Sequence, residues 1–233
     1  MRVIIIILLS LLTIKISIYA QDKLVLSRSY GPITMISERV VSEAYNRLGI
    51  QVQIEKFPSE RSITESNNGK VDGEVSRISG IDDIYSNLIM VPVMVNWFDI
   101  VVFTKDIKSS VTGWDSLKPY TIGIKIGTKF AEMGTKGMTV SPVSTSEQLF
   151  LMLDFRRTDV VVMSRVTGLF EIKQLQLQGI RILEPPLSKK KLYHYIHKKH
   201  KSIIPALTKV LQDMETEGRI EEIREQAITE LLK

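Results

Sequence analysis

The sequence predicts an α/β protein built from two successive alternating series of strands and helices behind a secretory leader. Three observations carry this. Over residues 24–75 the apolar spacing reads strand, helix, strand, helix, strand, the order of a parallel sheet with right-handed crossovers. After Thr104 a fresh alternating series begins and runs to Leu183. Finally, 233 residues with 44% hydrophobic, 24% charged and no cysteine exclude a disordered tail, a disulfide-stapled small domain and a cysteine-ligated metal protein.

The leader is residues 1–20: Arg2, an apolar run from Val3 to Leu12, then Lys15 and a Ser17-Ile18-Tyr19-Ala20 exit. The apolar run is too short for a spanning helix, which needs roughly 20 residues, and fits a signal peptide cleaved after Ala20. Lys15 inside the run and the large Ile18 keep a retained N-terminal anchor as the alternative. Without cysteine no lipidated N-terminus can form, so the expected location is the Gram-negative periplasm, with the protein unlipidated and monomeric. The leader removes two of the 31 basic residues and no acid, against 26 acids. The small positive balance left gives no argument for nucleic acid.

Leu24 to Leu26 alternate as a strand and lead into a turn at Ser27–Pro32. Ile33, Ile36, Val40, Ala44 and Leu48 recur at helical spacing, and Gly49 stops the helix. Val52 and Ile54 begin a second strand that ends at Phe57-Pro58. A helix from about Ser59 to Asn68 closes at Gly69, and Val71 to Val75 returns as a third strand. Asp99 to Thr104 is a strongly apolar strand. The second series follows: a strand at Thr121–Lys125, helices from about Thr128 and over Thr145–Leu153, and a strand at Asp159–Met163, placing a second lobe at about residues 105–187. Pro185-Pro186 reads as a stiff crossover, Leu192 to Ile196 as a strand, and Ile203–Glu217 and Ile220–Leu232 as two closing helices separated at Gly218.

Four segments together carry a resemblance: Glu60-Arg61-Ser62, Asn68 to Gly73, Ile122 to Thr128 and Thr158 to Met163. In this order they resemble the extracellular solute-binding proteins of family 3, which serve polar amino acid ABC transporters. The resemblance spans about residues 23–230 and implies the type II periplasmic binding fold. In that fold each lobe is a mainly parallel sheet with flanking helices. It implies lobes of residues 21–104 with 190–233 and of residues 105–189, joined by two crossover strands, with a small ligand in the cleft. Strand ends and helix N-termini lining such a cleft present unpaired N–H groups to a ligand.

The candidate ligand-binding residues follow. Tyr30 stands where the family commonly stacks an aromatic on its ligand; the alternative is a turn tyrosine packed on the first helix. Thr128, after Gly127, offers a hydroxyl and helix N–H groups, or merely caps its helix. Two positions depart from the family pattern. Counting twelve from Asp72 reaches Ile84, where amino-acid binders carry a carboxylate-gripping arginine, and counting five from Asp159 reaches Ser164, where they carry an aspartate for the α-amino group. Each missing charge-assisted bond is worth about 1.5–3 kcal/mol, so a plain α-amino acid is not the expected ligand. Arg77 and Arg61 are the candidate replacements, giving a cationic cleft for a carboxylate or other anion. Their alternative is surface pairing, Arg61 with Glu60 or Glu65 and Arg77 with Asp82 or Asp83. Glu74 and Ser76 are candidate acceptors beside them, while Asp72 reads as a cap on local backbone.

Trp97 is read either as a cleft wall or as hinge packing, and Trp114 as a packing residue at a helix start. His194, His197 and His200 read as a solvated basic edge rather than a metal site, since strand positions three apart point to opposite sides. Lys189-Lys190-Lys191 reads likewise. No metal and no cofactor is expected. The chain lacks Gly-x-Ser-x-Gly, His-Glu-x-x-His and the phosphate-loop motif, which makes a binding protein, not an enzyme, the expected class. Two alternatives stay open: a dehydratase-like enzyme using Glu74, and a sensory partner of a membrane receptor in place of an ABC permease.

Overall fold

The computed structural model describes residues 23–233; the leader and its cleavage point lie outside the described residues. β1 (Leu24–Ser29), α1 (Pro32–Arg47), β2 (Val52–Phe57), α2 (Ser59–Asn67) and β3 (Gly73–Arg77) form the first alternating series. β4 (Leu88–Thr104) follows. The second series is β5 (Ile122–Lys125), α3 (Lys129–Gly134), β6 (Val140–Val143), α4 (Ser146–Asp154), β7 (Val160–Ser164) and α5 (Arg165–Gln174). β8 (Arg181–His197), α6 (Ile204–Thr216) and α7 (Arg219–Leu232) complete the described chain. The strands form one eight-stranded sheet in the order β2-β1-β3-β8-β4-β7-β5-β6.

β1, β2 and β3 pair in parallel, as do β5, β6 and β7, while β4 and β8 run antiparallel to each other through the middle. Both are 17 residues long, and each packs against two cores in turn. Val91, Val93 and Val95 of β4 join Leu26, Val40, Tyr45, Leu207 and Leu211. A few residues later, Phe98, Ile100 and Val102 join Ile122, Ala131, Val160 and Leu183.

Four differences from the sequence reading have physical causes. β4 begins at Leu88 rather than Asp99, because Pro92 and Asn96 interrupt its apolar pattern without ending the strand. β8 runs through Pro185-Pro186. Ile100 pairs with Ser188 and Val102 with Leu183, so residues 184–187 stand outside the ladder, where a missing N–H does no harm. α5 has only Val166 and Gly168 buried and carries almost no helical stripe to read. Gly168 lets it approach the sheet, since a Cβ there would stand 2.1 Å from the Phe103 ring. β6 is a short edge strand with half its positions exposed. Ile122 and Ile126 donate to the carbonyls of Thr139 and Val143, so the intervening Pro142 turns its nitrogen outward from the sheet.

Candidate ligand site

The registers decide where the strand ends meet. Arg77, at the C-terminal end of β3, lies opposite Tyr193 of β8, and Ser164, at the C-terminal end of β7, lies opposite Ile100 of β4. Ile100 in turn faces Ser188, five residues along β8 from Tyr193, roughly 17 Å at strand rise. The C-terminal ends of both parallel strand sets therefore point at one stretch of crossover, where Trp97, Phe98 and Asp99 pair with Lys191, Lys190 and Lys189.

On the first side, Ser29 and Phe57 are register partners, which sets Tyr30 beside the start of α2. Tyr30 is 64% exposed and its hydroxyl donates to the Lys56 carbonyl at 3.4 Å. Arg61 lies in the first turn of α2 with its guanidinium 5.0 Å from the centroid of Phe57, and its Nε is 3.6 Å from Glu65. Arg77 donates Nε to Glu74 Oε1 at 2.9 Å, Nη1 to Ser59 Oγ at 2.8 Å and Nη2 to the Ser59 carbonyl at 2.6 Å. Three of its five N–H groups are thus assigned, and two remain for another acceptor.

Glu74 lies beneath this edge, fully buried. Its Oε2 accepts from Ser62 Oγ at 2.6 Å and from Ser27 Oγ, and its Oε1 from Arg77. Burial pushes its pKa above the ordinary carboxylate value, and Arg77 and the two hydroxyls pull the other way. Ser76 is 3% exposed, and its hydroxyl has no protein partner. Asp72 caps backbone at the far end of β1, accepting the Val25 N–H at 2.7 Å. Ile84 is 77% exposed.

On the second side, Thr128 precedes α3 without a side-chain cap bond. Just before it, the Gly127 N–H is already taken, because Glu132 accepts it at 2.7 Å. Ser164 starts α5 and donates to Thr167 Oγ1 at 2.7 Å. The next residue, Arg165, was not singled out by sequence; it reaches Glu184 at 2.8 Å and Asp99 at 3.4 Å. Its position directly after an apolar strand, one residue beyond the strand-end place that Arg77 holds on β3, was the available signal. A groove of about 500 Å³ lies elsewhere, between α4 and β6, lined by Ile126, Val143, Leu151 and Phe155.

Trp97 sits on the crossover with Lys189 Nζ 3.3 Å and Arg224 Cζ 3.6 Å from its ring. Trp114 packs on Gly134, where a Cβ would stand 2.4 Å from the indole. The solvated-edge reading of the histidines is corrected for His194, which is fully buried because it faces the sheet interior, and for His197, which is buried with its ring packed on Gly69. His200 instead meets Asp72 at 2.7 Å. Among the described residues no group of three His, Asp or Glu side chains could hold a metal, and no helix is long and apolar enough to cross a membrane.

No protein-family model matches the sequence. An uncharacterized protein of Shewanella oneidensis is 27% identical over 202 residues, covering 82% of this chain and 75% of the relative. Among solved structures, the GluR0 ligand-binding core in complex with L-glutamate is similar with a TM-score of 0.77 at 13% identity, over 90% of this chain and 99% of that one. A histidine kinase sensor domain with similarity to periplasmic binding proteins gives 0.70 at 13% identity, over 88% and 96%. An amino acid ABC transporter substrate-binding protein from Streptococcus pneumoniae, bound to L-arginine, gives 0.69 at 13% identity, over 91% and 96%. The fold is therefore that of the two-lobed periplasmic binding proteins.

Proposed function

We propose that the chain is an exported, periplasmic solute-binding protein that captures a small polar, anionic ligand between two hinged lobes and delivers it to an ABC-type permease. The lobes are residues 21–104 with 190–233 and residues 105–189. The observation that carries this reading is the convergence of both sets of strand C-termini on one crossover, with Arg77 at the edge holding two uncommitted N–H groups. Binding is then the whole reaction, since hinge closure needs only a ligand with more contacts in the closed state.

Arg77 and Arg61 supply positive charge, the unpartnered Ser76 hydroxyl a donor, and Tyr30 an aromatic surface on the first side. Thr128 and Ser164 close from the second. Glu74 serves through Arg77, whose guanidinium it holds. The absence of a cation at Ile84 and of an acid at Ser164 favours an organic anion or modified amino acid over a plain α-amino acid. A second reading, a ligand sensor docking on a membrane receptor, is favoured by the likeness to the histidine kinase sensor domain.

The test is a thermal-shift screen of residues 21–233 against standard, acidic and modified amino acids, short peptides and organic acids. A ligand at 100 times its dissociation constant adds about 2.7 kcal/mol. The expected hit is an anion recovered chemically unchanged, with the shift abolished by Arg77→Ala. A response confined to neutral amino acids overturns the anionic ligand, and silence across the panel overturns capture of this ligand class.

A further inference from the structure

The ladder between β3 and β8 slips beside Arg77. Glu74 faces Tyr195 and Arg77 faces Tyr193, so Val75 and Ser76 together oppose one residue, His194. Two residues against one is a β-bulge, and it resets which way the following side chains point. In an unbroken strand, residues three apart lie on opposite faces. Here Glu74 and Arg77 share a face and touch at 2.9 Å.

A bulge takes backbone groups out of the ladder, and buried carbonyls need donors. The lone residue opposite supplies one. His194 Nδ1 is 2.8 Å from the Glu74 carbonyl and 3.3 Å from the Val75 carbonyl. Two acceptors at Nδ1 place the ring proton there, which leaves Nε2 to accept from the Tyr45 hydroxyl at 3.0 Å. Tyr45 is fully buried in α1 and meets the imidazole edge-on, at 5.7 Å between centroids. Burial also holds His194 at a pKa of about 4, so the ring is neutral at pH 7.

We propose that His194 is a positioning residue for the cleft: it clips the β3 bulge, and the bulge turns the Arg77 guanidinium onto Glu74 and toward the strand edge. The proposal rests on the solute-binding reading for its functional meaning, although the clip itself is read in the ligand-free protein.

The experiment uses ¹⁵N-labelled residues 21–233 and follows the Arg77 Nε–H resonance, identified by its disappearance in Arg77→Lys. His194→Asn keeps an amide N–H in place of Nδ1 and is expected to retain that resonance, whereas His194→Leu is expected to lose it. The amides of Val161 and Val162, on β7 away from the bulge, report that the fold persists. A folded His194→Leu protein with an unshifted Arg77 resonance overturns the proposal. Should His194→Leu fail to fold, the His194 ring nitrogens of the parent protein decide: a neutral ring protonated at Nδ1 is expected at pH 7, and an Nε2-protonated or charged ring overturns it. None of these readings needs a ligand, so a silent thermal-shift screen with a preserved clip would overturn only the solute-binding reading.

Discussion

Lys189 Nζ stands 3.3 Å from the centroid of the Trp97 ring, and Arg224 meets the same ring at 3.6 Å. Trp97 and Lys189 belong to the two crossover strands, and Arg224 to α7, so one indole ties together three elements where the sheet changes cores. Each cation–π contact is worth about 0.5–2 kcal/mol. Trp97→Leu is expected to lower stability by about 2 kcal/mol, read as a lower urea midpoint. Trp114→Phe leaves Trp97 as the sole indole, and its fluorescence should then respond to any ligand that moves the crossover.

Arg77 is the charged partner of a buried carboxylate, so removing it leaves Glu74 uncompensated. Arg77→Gln is expected to cost about 3 kcal/mol at pH 8, because a buried charge without its partner is strongly unfavourable. The sign with pH follows from the raised Glu74 pKa. A carboxyl whose folded pKa lies above its unfolded value loses stability as pH rises through the folded pKa. The Arg77→Gln deficit should therefore shrink at pH 5, and Glu74→Gln added to it should remove the pH dependence. Denaturant titrations at the two pH values check both.

His194 has the opposite sign. Its pKa falls from 6.5 to about 4 on burial, with no charged side chain among its hydrogen-bond partners. The stabilising preference for the neutral ring is full above pH 6.5 and is lost as pH falls toward 4, about 3 kcal/mol in all. Acidic groups with lowered pKa values, such as Asp72, add their own acid sensitivity. The comparison that isolates His194 is the parent protein against His194→Asn, whose stability difference should change in the variant's favour between pH 7 and pH 4.

Gly168→Ala drives a methyl group into Phe103, and overpacking of this kind costs about 1–3 kcal/mol. Phe103→Leu also destabilises, but the double variant is expected to be more stable than the sum of the two losses. A double-mutant cycle in urea measures that coupling.

The first alternating series was readable because its signals are local. Ile36, Val40 and Ala44 fall on one buried helical stripe, and Gly49 and Gly69 stop their helices. What escaped depends on distant partners. α5 has no stripe, since it is held by its contact with Phe103 rather than by its own pattern. The strand character of residues 88–98 and 188–191 comes from pairing β4 with β8, which overrides Pro92 and the lysine run. The meeting of Glu74 with Arg77 was hidden for a plainer reason: a strand spacing of three predicts opposite faces, and no local residue announces the bulge. His194 looked like part of a basic surface run because its burial is decided by Tyr45 and by two carbonyls of β3.

Pro142 gives the β6 border a property that matters between molecules. A neighbouring chain that tried to lengthen the sheet there would meet a ring carbon where it needs a hydrogen-bond donor, and the growing row would stop. At the high local concentrations of a crowded compartment, that border resists open-ended self-stacking without a capping segment.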